Sequence, residues 1–451
     1  MAAVAALMAV WWVTEAIPIP ATALLPLVLF PLLGILESDD TARRYVNSNV
    51  FLFMGGFFIA LTIEKWNLHR RIALATIRAI GDRPRRILLG FMLASAFLSM
   101  WISNTATALM MLPIALSVVT QLGGEGDPDR VRRFGLVLLL AIAYSCSIGG
   151  TATLVGTPPN IVFAQIYHET FPDAPPVTFL DWMLRALPFA AVFLAFTWAY
   201  LAFVVGRLGA RSMTGGRDAI REQYAALGPM SRQEKMVLGA FVATALLWIF
   251  RRDIGIASFT IPGWESILGV GGYVSDATVA IGMSVLLFLT PVDLERGEFL
   301  LDWKTAVRIP WGILLLFGGG FALAGGFQET GLSRWIGETL TRFEGVPAWV
   351  LVVAICTLMT FLTELTSNTA TTQMVLPILA ATAVTFDCDP LLLMVPATLS
   401  ASCAFMLPVA TPPNAIVFSS DLVPIPTMAR VGLVMNVAGV LLIFSLFHLL
   451  G

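Results

Sequence analysis

The chain has 451 residues, 27 Lys and Arg against 29 Asp and Glu, a formal net charge of −2, and only 12% charged residues, while 57% belong to the set AVILMFWYC. With a mean hydropathy of +0.83, this excludes a soluble domain of ordinary composition and marks a polytopic membrane protein, best counted in spans of about 20 residues. The near-neutral balance gives no reason to expect a nucleic-acid partner. Neither a disulfide framework nor a zinc site is expected, because Cys146, Cys356, Cys388 and Cys403 lack CxxC spacing and His69, His168 and His448 lie far apart.

The first stretch, Met1 to Val13, lacks a basic leader region and a cleavage site and reads as a span. Apolar runs suited to spans are Ala2 to Ile17, Ala21 to Leu36, Val50 to Ile63, Phe134 to Ile166, Met183 to Val205, Met236 to Phe250, Thr278 to Thr290, Ile313 to Phe327, Leu391 to Phe418 and Val431 to Leu450. Two further stretches, Ile87 to Leu122 and Val346 to Phe386, would exceed roughly 50 Å as single helices, too long for a hydrocarbon core of about 30 Å. Arg83, Arg85 and Arg86 precede the first and Arg130, Arg132 and Arg133 follow it, so both its ends belong in the cytoplasm. It is expected to be a re-entrant hairpin with its tip at Ser103 to Thr105. The second stretch is flanked by Glu344-Gly345 and Asp387-Cys388-Asp389-Pro390, with Arg342 the only near base, and should enter from the opposite side with its tip at Ser367 to Thr369.

Arg207, Arg211, Arg217, Arg221, Arg232 and Lys235 mark 206–235 as cytoplasmic, whereas 167–178 has no Lys or Arg. Arg251-Arg252 is an exception, placed outside by this topology, and both Met1 and Gly451 fall outside as well.

An internal repeat runs through the chain. At an offset of 264 (Ser103 to Ser367), Gly55-Gly56-Phe57 matches Gly319-Gly320-Phe321, Leu68 matches Leu332, Arg70 matches Arg334, and Pro113-Ile114 matches Pro377-Ile378. Between Asn160 and Asn414 the offset is 254, the difference being assigned to a longer polar loop at Gly123 to Arg133. Opposite flanking charge on similar halves predicts an inverted-topology repeat, with a site at the repeat interface.

Four polar breaks define that site: Ser103-Asn104-Thr105, Gly156-Thr157-Pro158-Pro159-Asn160, Ser367-Asn368-Thr369 and Ala410-Thr411-Pro412-Pro413-Asn414. A break at bilayer depth persists only where it lines an enclosed cavity. Ser, Asn and Thr are strong N-caps, and the free N–H groups and positive dipole of the helix that follows form an anion site without Lys or Arg. Pro suits the first helical position, and the half-helix ends at Gly156 and Ala410 offer carbonyls to a small hard cation. No Arg or Lys lies within either hairpin, so the anion's charge must be met by neutral donors, dipoles and co-bound cations. Glu364, the one carboxylate in the two hairpins, reads either as a cation or proton site or as a group tied to backbone N–H near the tip. Glu15 and Asp276 read as interfacial, and Trp11, Trp12, Trp101 and Trp182 as packing or interface anchors. There is no HExxH helix or nucleophile with a basic partner at bilayer depth to suggest an enzyme.

Through its two Ser-Asn-Thr and two Pro-Pro-Asn motifs, with Trp11-Trp12-Val13-Thr14-Glu15-Ala16-Ile17-Pro18 and Glu64-Lys65-Trp66-Asn67-Leu68-His69, the chain resembles the divalent anion/sodium symporter family over nearly its whole length. The resemblance implies an all-α polytopic fold with two re-entrant hairpins and two broken helices, a homodimer in the bilayer, and a transport domain that moves as an elevator against a scaffold. It divides the chain into scaffold spans and an amphipathic segment at 1–82, a transport repeat at 83–166 (hairpin 87–122, broken helix 134–166), scaffold spans and linkers at 167–327, an amphipathic segment at 328–345, a second transport repeat at 346–418 (hairpin 346–386, broken helix 391–418), and a last span at 419–451. It implies sodium at Ser99, Ser103, Asn104 and Gly156 and at Thr363, Thr366, Asn368 and Ala410. A dicarboxylate would meet Asn104, Thr105, Asn368 and Thr369, with Thr157 and Thr411 lining the pocket. Two intact Ser-Asn-Thr motifs resemble the carboxylate branch more than the sulfate branch. The absence of basic residues at the sodium positions favours symport over sodium-independent exchange. The family usually has a further span before the Trp-Trp segment; none precedes it in this sequence, as expected either of a start that is cut short or of a ten-span variant. The expected function is sodium-coupled uptake of a C4-type dicarboxylate (succinate, malate, fumarate) across a bacterial inner membrane, the alternatives being a sulfate or citrate transporter or an exchanger.

Overall fold

The computed structural model describes residues 1–81, 83–123, 128–209, 216–256, 259–340 and 347–450. Arg211, Arg342, Glu344 and Gly345, used above in the charge argument, lie outside the described residues.

Both long apolar stretches fold as hairpins. The first has arms Pro84–Ser99 and Asn104–Gly123, the second Ala348–Leu362 and Asn368–Thr385. Each break falls where a serine can cap the helix that follows: Ser103 Oγ accepts from the Ala106 amide at 3.2 Å and Ser367 Oγ from the Ala370 amide at 3.5 Å. Two further runs are broken helices, Pro128–Gly150 followed by Pro158–Thr170, and Pro390–Ala401 followed by Pro412–Phe418. Proline opens all four half-helices, at a position where its missing N–H costs nothing. The expected polar loop at Gly123 to Arg133 is shorter than its composition implied, since residues 128–133 form the first turns of the long helix. The half-helix after the first Pro-Pro runs on to Thr170, four residues past its expected end.

The helix Pro128–Gly150 is the centre of the molecule, and almost every residue from Phe134 to Gly150 is buried. It packs closely on the first arm of the first hairpin, and a Cβ on Gly149 would collide with the Ala96 backbone. The two repeats interlock crosswise. The capped arm Asn104–Gly123 packs on Pro412–Phe418 of the other repeat, and Asn368–Thr385 packs on Pro158–Thr170. Around this unit lie the helices Ala2–Thr14, Leu25–Leu32, Ser48–Lys65, Phe179–Ala199 (continued by a π-helical turn to Val205), Arg232–Ile249, Asp276–Leu289, Trp311–Glu329 and Ile425–Leu450. Among the described residues six helices are long and apolar enough to cross a membrane, one of them the hairpin arm Asn104–Gln121, and the shorter apolar helices are Ala2–Thr14, Ile19–Leu32 and Asp276–Leu289 at expected spans, the hairpin arm Trp349–Leu362 and the half-helix Pro390–Ala401.

Amphipathic helices Leu68–Ile80 and Leu332–Leu340 begin at matching repeat positions. The only sheets among the described residues are two short antiparallel ribbons, Ile254–Ile256 with Phe259–Ile261 and Pro291–Asp293 with Glu298–Phe299. Arg251, the exception to the charge rule, is buried in an ion-pair cluster, 2.6 Å from both Asp276 Oδ1 and Glu265 Oε2. Its charge is neutralised locally, which weakens its topological signal. Asp276 is accordingly a buried ion-pair partner.

Candidate functional site: two capped tips and two carbonyl-rich breaks

In the first repeat the buried Ser99 donates its hydroxyl to Asn104 Oδ1 across the hairpin break. Asn104 lies against Gly150, where a Cβ would overlap the amide, and Gly156 approaches the Gly150 carbonyl just as closely. A side-chain amide, a hydroxyl and two glycine backbones thus crowd one spot, drawn together by the absence of side chains. The predicted residues Ser99, Asn104 and Gly156 share this spot, with Ser103 at the adjoining cap. Thr153 Oγ1 closes the break from the other side by donating to the Met100 carbonyl.

The second repeat reproduces the arrangement. Thr363 Oγ1, at the position matching Ser99, is 2.5 Å from Asn368 Oδ1 and 3.0 Å from the Ala401 carbonyl. Thr366 shares a hydroxyl–hydroxyl bond of 2.6 Å with Thr371. Ala410 is buried at the end of its break, where its amide donates to the Leu407 carbonyl at 3.2 Å. Among the described residues no hydrogen bond joins Ala410 to Asn368. The oxygens brought together in both repeats are hydroxyl, amide and carbonyl oxygens, a donor set suited to a hard monovalent cation.

Asn104, Thr105 and Asn368 are partly exposed, and Thr369, Thr157 and Thr411 are buried. In both hairpins the first-turn amides at Asn104, Thr105, Asn368 and Thr369 have no intrahelical acceptor by helix geometry, and they point the positive dipole end at the tip. Thr411 Oγ1 also caps its helix, accepting from the Asn414 amide at 3.4 Å. Thr157 occupies the equivalent N-cap position with no side-chain cap bond.

The asparagines of the two Pro-Pro-Asn motifs, named from the sequence as part of the breaks but given no contact there, hold the site together. Asn160 Nδ2 donates to the carbonyls of Gly150, Thr151 and Thr153 at 3.2, 3.2 and 2.7 Å. Asn414 Nδ2 donates to those of Ala404 and Leu407 at 3.2 and 3.0 Å. Gly150 and Ala404, like Thr153 and Leu407, are 254 positions apart, so each Pro-Pro-Asn asparagine clamps the same carbonyls of its own break. The repeat register of the two motifs was the signal for this. Trp182 Nε1 donates to the Thr151 carbonyl at 2.9 Å, and Tyr144 OH to the Phe405 carbonyl at 3.0 Å.

Glu364 takes the second of its two sequence readings. Oε1 accepts from the amides of Phe405 and Met406 at 2.7 and 2.9 Å and from Asn436 Nδ2 at 2.7 Å, while Oε2 accepts from the Leu407 amide at 3.1 Å. Successive amides aimed at one carboxylate form an anion nest, so Glu364 pins the second break in place. Trp101, at the first tip, packs between Phe179, Phe241 and Trp248, with ring centroids 5.7, 4.9 and 6.5 Å away.

A cavity of about 800 Å³ opens on the side carrying Arg70, lined by Glu64, Lys65, His69, Arg70 and Arg308 on one wall and by Ala106 to Ser117 of the first hairpin on the other. It reaches to within two residues of Asn104. At its rim Lys65 Nζ lies 2.6 Å from Asp302 Oδ2. Burial alone would raise the Asp302 carboxyl, but the bonds from Lys65 and the Thr305 amide outweigh it and hold the group below its ordinary value.

Paired hairpins, paired broken helices and a neutral oxygen cluster in each repeat define a polytopic helical transporter. Residues 1–450 match the family described as "Sodium:sulfate symporter transmembrane region", and the chain belongs to that family. It is 43% identical over 447 residues to the "Sodium-dependent dicarboxylate transporter SdcS" of Staphylococcus saprophyticus, covering 98% of this chain and 84% of the relative. It is equally identical over 448 residues to the protein of that name from Staphylococcus aureus strain MRSA252, with the same coverage. Two solved structures share the fold at 12% identity. They are Neisseria gonorrhoeae MtrF (TM-score 0.61, covering 93% of this chain and 83% of that one) and the Alcanivorax borkumensis YdaH transporter (TM-score 0.58, 92% and 86%).

Proposed function

We propose that this protein is a secondary active symporter of the bacterial plasma membrane that couples sodium entry to uptake of a C4-type dicarboxylate such as succinate, malate or fumarate. The observation that carries this reading is the duplicated tip, in which Asn104 and Asn368 each present a side-chain oxygen bonded to a hydroxyl across the break and an open helix N-terminus. Sodium dependence and a dicarboxylate are what the names of the 43%-identical relatives state, and the neutral site suits both. An anion held without Lys or Arg gains from co-bound cations, so the oxygens that bind sodium also order the tip that binds the carboxylate.

The sodium ligands are Ser99, Ser103, Asn104 and Gly156 in one repeat and Thr363, Thr366, Asn368 and Ala410 in the other. The substrate carboxylates meet Asn104, Thr105, Asn368 and Thr369, beside Thr157 and Thr411. The hairpins and broken helices, 83–170 and 346–418, move as one body against the remaining spans, and a homodimer anchors those spans. The large cavity on the Arg70 side is the cytoplasmic vestibule, which makes this an inward-facing conformation. Val409 in the second break is 80% exposed while its repeat counterpart Val155 packs near Gly56, the asymmetry expected of one open side.

The test is binding of succinate, malate, citrate, 2-oxoglutarate and sulfate to purified protein with and without sodium, repeated with Asn104→Ala and Asn368→Ala. Sodium-dependent binding of C4 acids, lost in both variants, is the expected result. Preference for sulfate or citrate would change the substrate, sodium-independent counterflow would make the protein an exchanger, and unchanged binding in both variants would move the site.

A further inference from the structure

On the face opposite the vestibule, side chains of the outer spans converge on the half-helix Pro158–Thr170. Arg44 Nη1 lies 3.2 Å from Glu169 Oε2, with 25% and 11% of the two side chains exposed. Glu169 Oε1 accepts from Gln165 Nε2 at 2.7 Å, and Gln165 in turn accepts from Asn49. Gln328 Nε2 donates to the Glu169 carbonyl at 3.2 Å. Gly325 leaves room for the Arg44 guanidinium, which a Cβ there would meet at 2.8 Å. Such a network is strong only while the two bodies stay together, because separating them leaves a carboxylate and a guanidinium facing partners they no longer reach.

The repeat gives this network a counterpart. At the 264-residue offset Arg44 corresponds to Arg308 and Gln328 to Glu64, and Thr41, buried beside Arg44, corresponds to the buried Thr305. Arg308 and Glu64 both line the open cavity on the opposite side. Two members of the closed-side network therefore have repeat mates at the open side, where the bodies stand apart. Glu169 stands near the end of the moving body's first broken helix, and its repeat mate at the 254-residue offset, Val423, lies just past residue 418, in the link that joins the second broken helix to the last span. The acid beside that position is Asp421, exposed just beyond the short helix Pro412–Phe418.

We propose that Arg44 and Glu169 are a positioning pair that bolts the external side shut in the inward-facing conformation, and that Arg308 and Asp421 form the mirror bolt on the cytoplasmic side when the transporter faces out. This rests on the elevator reading above. The pairs exchange during each cycle: one ion pair opens on the side being exposed as the other closes on the side being sealed. Neither pair touches sodium or substrate.

The test uses full-length protein in liposomes with Cys388→Ser as background, since the other three cysteines are buried. A reporter Ser117→Cys in the vestibule is labelled from the cytoplasmic face with a membrane-impermeant maleimide, without substrate. Arg44→Ala or Glu169→Gln should slow labelling at least fivefold, and the exchange Arg44→Glu with Glu169→Arg should restore it. A structural role alone would not be rescued by reversed charge. Oxidation of Arg44→Cys with Glu169→Cys should cross-link the resting protein and stop uptake while the reporter stays labelled. Arg308→Cys with Asp421→Cys should cross-link only in sodium and succinate and should block labelling. Unchanged labelling in the single variants, or full uptake after the Arg44–Glu169 cross-link, overturns the bolt. Because labelling needs no substrate, that failure is distinct from the proposed symport failing, which would appear as absent sodium-dependent succinate uptake in the unmodified protein.

Discussion

Thr363 Oγ1 stands 2.5 Å from Asn368 Oδ1, spanning a break of five residues between two apolar helices. Ser99 and Asn104 make the same bond 264 positions earlier. The bond fixes the side-chain oxygen on which the proposed cation site depends, while the serine between the partners caps the following helix.

Gly150→Ala places a methyl on the Asn104 amide and should displace it. The repeat counterpart of Gly150 is Ala404, so only the first site is built around a bare backbone here. Overpacking of this kind costs about 1–3 kcal/mol. We expect sodium affinity to fall at least tenfold by isothermal titration while Ala404→Gly leaves it within a fewfold.

Asn160→Ala and Asn414→Ala each leave buried carbonyls without their donor. An unsatisfied buried polar group costs about 1–3 kcal/mol, and Asn160 serves three carbonyls against two for Asn414. The first substitution should lower Tm more than the second, and both should weaken stabilisation by sodium in a thermal-shift assay.

Glu364→Gln keeps the shape but removes the charge facing three amides and turns an NH2 towards donors. Hydrogen bonds to charged groups contribute about 1.5–3 kcal/mol each, so we expect a marked loss of Tm, greater for Glu364→Ala. Were Glu364 a transport proton site instead, the Gln variant would fold normally and lose only the pH dependence of uptake.

The Arg71–Glu234 pair ties the amphipathic helix Leu68–Ile80 to the start of Arg232–Ile249, with Arg71 Nε 2.7 Å from Glu234 Oε1. Burial would raise the Glu234 carboxyl, but Arg71 and the Ser231 amide outweigh it and hold it below its ordinary value of 4.5. A depressed carboxylate contributes stability that is complete above its unfolded pKa and is lost as pH falls through the folded one. Tm measured against pH should therefore fall more steeply below about pH 4.5 in the native protein than in Glu234→Gln, with the two curves parallel at neutral pH and the variant lower.

Much of this architecture could be read directly from the chain. Apolar run length against bilayer thickness separated spans from hairpins. Ser-Asn-Thr placed the start of both second arms, with Ser103 and Ser367 the last residues of breaks that lie mostly before the motif, because capping is a local property of three or four consecutive side chains. Arg251 misled the charge count because its neutralising partners, Glu265 and Asp276, are 14 and 25 residues away. The polar composition of 128–133 likewise suggested a loop, where Pro128 opens the helix and only Val131 of its first turns is buried.

The sequence by itself determined a membrane-embedded inverted repeat with four polar breaks in register, since hydropathy, charge flanks and repetition are properties of neighbouring or identically spaced residues. Tertiary structure alone decided what each break touches. It gave Glu364 to the amides of Phe405 to Leu407, Asn160 and Asn414 to the carbonyls of their own breaks, and Arg44 to Glu169, and it opened a cavity along the first hairpin on the side carrying Arg70. Those contacts join residues 7 to 125 positions apart across helices whose lipid-facing and buried faces are equally apolar. Hydrophobic patterning, the strongest signal in a soluble chain, is silent about them.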